Sequence, residues 1–227
     1  MFKKTKIVAT IGPATENKEI MEKMALAGMN VVRLNFSHDV HEAHQRRVDH
    51  ARFVSKKIGK PIAILQDLSG PKIRIVDFNN GSIILKNGQT FIITTENCVG
   101  DEKKVSINYK NLHKEIEKGA TILLNDGKNE LRVEKIVGND IYCKVMVGGE
   151  IKGRRGVNFP GSYLKISSLT AKDKEDLKFG IENNVEYIAI SFVRTSDDVL
   201  ELKNILQKAK ADKIKIIAKI ETQEAIE

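Results

Sequence analysis

A chain of 227 residues, 41% apolar and 30% charged, is long enough to bury one core or two, and its 38 basic against 30 acidic side chains leave a net charge of +8. No stretch reaches the roughly 18 to 20 apolar residues of a membrane-spanning helix, and the opening MFKKTKIVATIGP lacks a long apolar signal core, so a cytoplasmic protein is expected. Cys98 and Cys143 stand apart with no CxxC and no nearby His at metal-ligand spacing, which points to reduced structural thiols rather than a disulfide framework or zinc; dispersed charge with only 5% aromatic residues favours small anions over nucleic acid.

The first apolar run, residues 7–11, has the length of a buried strand, and a helix is expected over 16–27, closed by Gly28. A second strand over 31–36 precedes a helix over 40–58 closed by Gly59, and a third strand occupies 62–68. From about 73 to 157 the rhythm changes: NNG, KNG, NDG and GGE turns separate SIILK, FIITT, TILLN and IYCKV, the pattern of a small antiparallel barrel or sandwich. GRRGVNFPG follows, where Gly153, Gly156, Pro160 and Gly161 suit a hinge. Helix 172–183, strand 187–193, a helix capped by Thr195 or Ser196, and strand 214–220 resume the alternation. Strand and helix in turn make a parallel α/β core, organised as 1–72, an inserted β-rich domain 73–157, and 158–227.

Polar residues inside apolar strands mark the candidate site. Arg33, Asn35 and Ser37 alternate with apolar partners and share a face, with His38 just beyond. Asp67 closes the third strand, Ser191 and Arg194 end the fourth, and Lys219 and Glu221 lie two apart at the end of the fifth. One such residue would be a satisfied structural hydrogen bond, but four sets at the C-terminal pole of a parallel sheet fall where α/β folds build active sites. Arg33, Arg74, Arg155 and Lys219 can hold phosphates, and Glu221 and Asp67 are hard oxygen ligands for magnesium or a monovalent cation. Phosphoryl transfer needs little more, since positioned cations stabilise its loose transition state. Neither GxxxxGK[ST] nor GxGxxG occurs, so the Walker-type and protein-kinase classes are excluded.

TKIVATIGPAT, MNVVRLNFSH, LQDLSGPKIR, KGRRGVNFPG, YIAISFVR and KIIAKIE resemble the pyruvate kinase family, in order and across the whole chain. The resemblance implies transfer of the phosphoryl group of phosphoenolpyruvate to ADP, giving ATP and pyruvate. It also implies a (β/α)8 TIM-type barrel, here about five strands, with a small β-barrel lid inserted after the third strand, and a homotetrameric complete enzyme. By resemblance Lys219 is the catalytic lysine and Arg33 meets the phosphoryl group, while Ser191 and Phe192 line the substrate cavity. Asn35, His38, Arg74 and Arg155 face the nucleotide, with Asp126 reaching in from the lid. Glu221 resembles one of two carboxylates for Mg2+ or Mn2+, and Asn35, Ser37, Asp67 and the Leu68 carbonyl correspond to a potassium site.

Lys72 departs from the family: members that need potassium carry Glu there, and Thr where this chain has Leu68. An ammonium near the ion's position supplies the same charge, so potassium is expected to be dispensable. The residues outside the insert are also too few for the roughly 250 of a complete barrel, so an inactive N-terminal portion of a longer enzyme is expected. Two rival readings remain. A barrel aldolase would use Lys219 as a Schiff-base amine, although Glu221 beside it favours a charged lysine. A non-enzymatic RNA-binding module would bind with a steep salt dependence.

Overall fold

A computed structural model describes residues 4–226. In chain order the elements are β1 (Ile7–Thr10), α1 (Lys18–Ala27), β2 (Met29–Asn35), α2 (His41–Ile58) and β3 (Ala63–Asp67). There follow β4 (Ser82–Leu85), β5 (Thr90–Thr94), β6 (Lys104–Ser106), α3 (Leu112–Glu115), β7 (Thr121–Leu124), β8 (Asn129–Val137), β9 (Asp140–Val147), β10 (Gly149–Lys152) and β11 (Val157–Asn158). The chain continues through α4 (Ala171–Glu182), β12 (Tyr187–Val193), α5 (Ser196–Lys208) and β13 (Lys215–Ile220). The elements fall into two compact units, one formed by the chain up to Pro71 with Ser167–Ala225, the other by Lys72–Ile166. The β-rich unit thus runs past residue 157, where the turn signals end.

The first unit is a five-stranded sheet in the order β1-β2-β3-β12-β13, parallel throughout, with helices linking successive strands. Local chemistry sets the helix ends. Asn17 caps α1 by accepting the Glu19 N–H at 2.8 Å, and Gly28, at φ 117°, supplies the left-handed residue that stops it. Thr170 and Asp173 form a capping box on α4, and Thr195 and Asp198 another on α5. Val32, Leu34 and Phe36 alternate with the half-buried Arg33 and Asn35, so one face of β2 joins the core with Ile64, Ile188, Ile190, Leu177 and Leu202 while the other carries polar groups.

Residues 214–220 read as a buried strand in the sequence, and the structure corrects this. β13 pairs only with β12 among the described residues, and Ile220 is 53% exposed. At the opposite edge Val8 of β1 is 52% exposed. An edge strand shows its apolar side chains because no neighbour covers them, whereas β12, flanked on both sides, is buried almost throughout.

The second unit packs a six-stranded sheet, β11-β7-β8-β9-β5-β6, with the hairpin-like pair β10-β4. Its core is Phe91, Ile93, Ile107, Ile122, Leu124, Leu131, Ile141 and Cys143. Among the described residues the named strands of this unit pair antiparallel except β5 with β6, and an isolated bridge between Phe78 and Gly100 is also parallel, so the antiparallel pattern expected from the turns holds for most of the sheet. Both cysteines are free, and burial pushes the Cys143 thiol up to about 12, which leaves it a small apolar filler. No helix among the described residues is long and apolar enough to cross a membrane.

Candidate active site

Parallel pairing brings distant residues to one pole of the first unit. The register sets Arg33 opposite Leu65 and Asn35 opposite Asp67, and Ala189 beside Asp67. Asp67 is buried, with its side chain only 4% exposed, and two cations converge on it. Arg33 donates to Asp67 Oδ2 from Nε at 2.7 Å and also from Nη2, and its Nη1 donates to Thr10 Oγ1 at 2.7 Å. Lys219 Nζ donates to Asp67 Oδ1 at 3.2 Å and to Ser191 Oγ at 2.9 Å. Ser191 in turn donates to the Leu68 carbonyl at 2.6 Å. Arg33 and Lys219 are each 30% exposed, so their charges meet solvent on one side and a shared buried carboxylate on the other. Such a carboxylate fixes two like charges near one another that would otherwise repel.

Glu221 lies just past the end of β13, its Oε1 3.6 Å from Lys219 Nζ, while Oε2 accepts the Phe192 N–H at 2.9 Å. Phe192 adopts φ 56°, a left-handed conformation that costs a β-region side chain about 1–2 kcal/mol and turns its N–H toward Glu221. Gly70 permits this packing: a Cβ there would stand 2.9 Å from both Phe192 Cδ2 and Ser191 Cβ, and its own φ is +66°. Thr222 Oγ1 donates to the Val193 carbonyl at 3.1 Å, and Arg194 pairs with Glu224 at 3.3 Å, which together fasten the segment after β13.

Helices support the site from behind. Asp173, in the capping box of α4, accepts the Gly70 N–H at 3.1 Å. Lys172 Nζ donates to the Phe36 carbonyl at 2.9 Å and pairs with Asp176, which also contacts His41 Nε2 at 2.7 Å. From α2, His44 Nε2 lies 3.0 Å from the His38 carbonyl, and its ring stacks on Phe36 with centroids 4.1 Å apart. Arg47, buried, donates to Asp39 at 2.7 Å and to Glu16 at 2.8 Å. The Arg47 guanidinium holds the Asp39 carboxyl below the usual range, and burial depresses His44, keeping it neutral. Asp39 has φ 63°, so its ion pair offsets a strained turn that carries Ser37 and His38.

The structure therefore gathers Arg33, Asp67, Leu68, Ser191, Phe192, Lys219 and Glu221. Asn35 and Ser37 adjoin them: Asn35 Oδ1 accepts the Ser37 N–H at 3.1 Å, and Ser37 Oγ is 3.2 Å from Ser69 Oγ. His38 is exposed on the following turn. Lys72, Arg74, Asp126 and Arg155 belong to the β-rich unit. There Arg74 bridges Gly156 across an antiparallel contact, with Ile75 N–H donating to the Arg155 carbonyl at 3.1 Å. Asn108 pins this segment, accepting the Arg74 N–H at 2.8 Å and donating to the Lys72 carbonyl at 2.9 Å. Asp126, at φ 57°, and Arg155 line one polar basin.

Sequence reasoning missed Thr10, Asn108, Asp173, His44 and Arg47. Asp173 left a signal, the T-x-x-D capping pattern; Thr10 was visible only as the last residue of a strand beside β2. Asn108 and Arg47 left none.

Comparison with known proteins adds the following. Residues 2–227 match a family model described as pyruvate kinase, barrel domain. The chain is also similar to the pyruvate kinases of Staphylococcus aureus strains USA300, NCTC 8325 and COL. It is 45% identical to each over 228 residues, which covers 100% of this chain and 39% of theirs. The chain thus spans about two fifths of the length of these relatives.

Proposed function

The chain belongs to the pyruvate kinase family, and on that premise we propose that it supplies the phosphoryl-handling part of an enzyme that transfers the phosphoryl group of phosphoenolpyruvate to ADP. The observation that carries this is the pair Arg33 and Lys219, fixed about one buried Asp67 at the C-terminal ends of parallel strands, with Glu221 alongside. The sheet is read as part of a (β/α)8 barrel and Lys72–Ile166 as its lid.

The residues act by placement. Arg33, tied to Thr10 and Asp67, presents the remaining edge of a guanidinium whose orientation is set before any ligand arrives. Lys219 is held by Ser191 and Asp67 and offers an ammonium to charge developing on the transferring oxygens and on the departing enolate. Because both are fixed, little reorganisation accompanies the reaction. Lys219 Nζ is engaged by Asp67, Ser191 and Glu221 rather than set in the apolar pocket of a Schiff-base lysine, which argues against an aldolase.

Among the described residues there is no group of three or more His, Cys, Asp or Glu that could hold a metal ion. Glu221 nevertheless fits magnesium, which takes one or two carboxylates with substrate phosphates and water completing its shell. Bound there, a divalent ion supplies Lewis-acid neutralisation of phosphoryl charge. The potassium ligands are oxygens of the right type, but Asp67 is already compensated by two cations and the Leu68 carbonyl already accepts Ser191. That compensation, with Lys72 standing where potassium-requiring members of the family carry Glu, supports potassium independence.

The test is a hybrid in which this chain replaces the 228 residues it aligns with in the strain USA300 enzyme, assayed for pyruvate formation from phosphoenolpyruvate and ADP. Turnover well above that of the hybrid carrying Lys219→Met is expected; equal rates would refute the reading. In potassium-free buffer the hybrid is expected to keep most of its rate, and Lys72→Glu to make it depend on added potassium. A hybrid that loses nearly all turnover without potassium would show that Lys72 does not replace the ion.

A further inference from the structure

Turn 36–39, which joins β2 to α2, is gripped from behind by two helices. Two of the grips come from α2 itself: His44 and Arg47 stand three residues apart on one helix face, and both are buried. His44 Nε2 lies 3.0 Å from the His38 carbonyl; since a carbonyl only accepts, this nitrogen carries the proton. Nδ1, buried, meets no hydrogen-bond partner among the described residues, and the ring stacks on Phe36. Arg47 Nη1 donates to Asp39 Oδ2 at 2.7 Å and Nε to Glu16 Oε2 at 2.8 Å, so one guanidinium joins the turn after β2 to the loop after β1. His50 Nδ1, about one turn further along α2, fastens that loop again at the Glu16 carbonyl, 2.6 Å away. From α4, Lys172 Nζ donates to the Phe36 carbonyl at 2.9 Å.

Stability does not explain this arrangement. Burying a guanidinium carries a desolvation cost, and buried ion pairs replaced by apolar residues of similar volume often leave a fold as stable or more so. Ala43, Val48, Ala51 and Val54 are the apolar buried residues of α2, so an apolar side chain at 47 would suit its surroundings. Such a side chain would not hold Asp39 at φ 63°, a left-handed backbone that a residue with a Cβ leaves unless something opposes it. The strained residue directly follows the groups that reach the site. Ser37 N–H donates to Asn35 Oδ1 at 3.1 Å, Ser37 Oγ lies 3.2 Å from Ser69 Oγ, and Asn35 stands opposite Asp67 in the sheet register. We infer that His44 and Arg47 are positioning residues for phosphoryl transfer: they set turn 36–39 and so aim Asn35, Ser37 and His38 at the reacting pole, without touching a substrate themselves. The inference rests on the reading of that pole proposed above.

The experiment uses the hybrid enzyme. Arg47→Met fills similar space and removes the link; it should lower kcat by about ten- to a hundredfold, the scale of a displacement near 1 Å. KM for phosphoenolpyruvate should stay near the parent value, because Arg33 and Lys219 are held by Thr10, Asp67 and Ser191 and not by this turn. Glu16 and Asp39 are partly exposed and keep water when Arg47 is lost, so the thermal midpoint should barely move. The deciding variant is Asp39→Gly in the Arg47→Met background. Glycine takes φ 63° without strain, so the double variant should recover most of the lost kcat. A guanidinium that merely packs against its surroundings gives no such rescue. His44→Phe keeps the stack on Phe36, removes the donor to the His38 carbonyl and should lower kcat in the same range. A parental kcat in Arg47→Met, or a loss that Asp39→Gly does not relieve, overturns the inference and leaves the phosphoryl-transfer reading intact. A parental kcat in His44→Phe overturns it for His44. If the hybrid itself is no faster than its Lys219→Met form, the reading of the pole fails and the inference with it.

Discussion

In the hybrid enzyme, Lys219→Met is expected to lower kcat by about 10²–10³-fold, the usual loss when one fixed stabiliser of developing charge is removed. The KM for phosphoenolpyruvate should move far less, since an interaction made mainly in the transition state contributes little to ground-state binding. The geometry gives the reason. Lys219 Nζ is fastened by Ser191 at 2.9 Å and Asp67 at 3.2 Å, so its charge does not have to be gathered from solvent when the phosphoryl group moves. Lys219→Arg should rescue little, because a planar guanidinium cannot take the same two partners from the same strand position. Folding should be nearly unchanged, since β13 is an edge strand and Asp67 keeps Arg33 as its partner. Steady-state kinetics with a urea titration would check all four statements. A loss below tenfold would remove Lys219 from the chemistry.

The pole of the sheet was readable because period-two alternation puts Lys219 and Glu221, or Arg33 and Asn35, on one face whatever the rest of the chain does. Strand ends in a parallel sheet then collect them without further information. What could not be read was which groups touch. Asp67 lies far in sequence from both Arg33 and Lys219, and only the register of β2, β3, β12 and β13 sets it between them; in isolation it reads as an oxygen ligand. The left-handed Phe192 and Asp39 were invisible for a related reason: each is held by a distant partner, Glu221 or Arg47, that overrides its local preference. In the β-rich unit, glycine-containing turns announced the hairpins, but β8 was overlooked because NELRVEKIV intersperses charges with its buried residues and has no apolar run. The exposed face of β13 escaped because burial depends on neighbours, and a strand's own sequence does not record how many it has.

Asp67→Ala should have the largest combined effect. Removing one member of a buried ion pair costs about 3–5 kcal/mol when its partner is left in the interior. Here Arg33 and Lys219 stay 30% exposed and remain partly solvated, so about 2–4 kcal/mol is expected, read as a fall in the urea midpoint of the 227-residue chain. Asp67→Asn should recover the part that depends on shape but not the part that depends on charge. The kinetic signature in the hybrid separates two roles. If Asp67 is the counter-ion that spaces Arg33 and Lys219, its loss leaves two uncompensated cations that bind anionic phosphoenolpyruvate more tightly while holding it less well for transfer. KM and kcat should then fall together. If Asp67 instead served mainly as a ligand for a monovalent cation, its loss would be softened by high potassium and KM would rise. A KM that rises, with a rate restored by potassium, would overturn the view that one buried carboxylate organises both phosphate-binding cations.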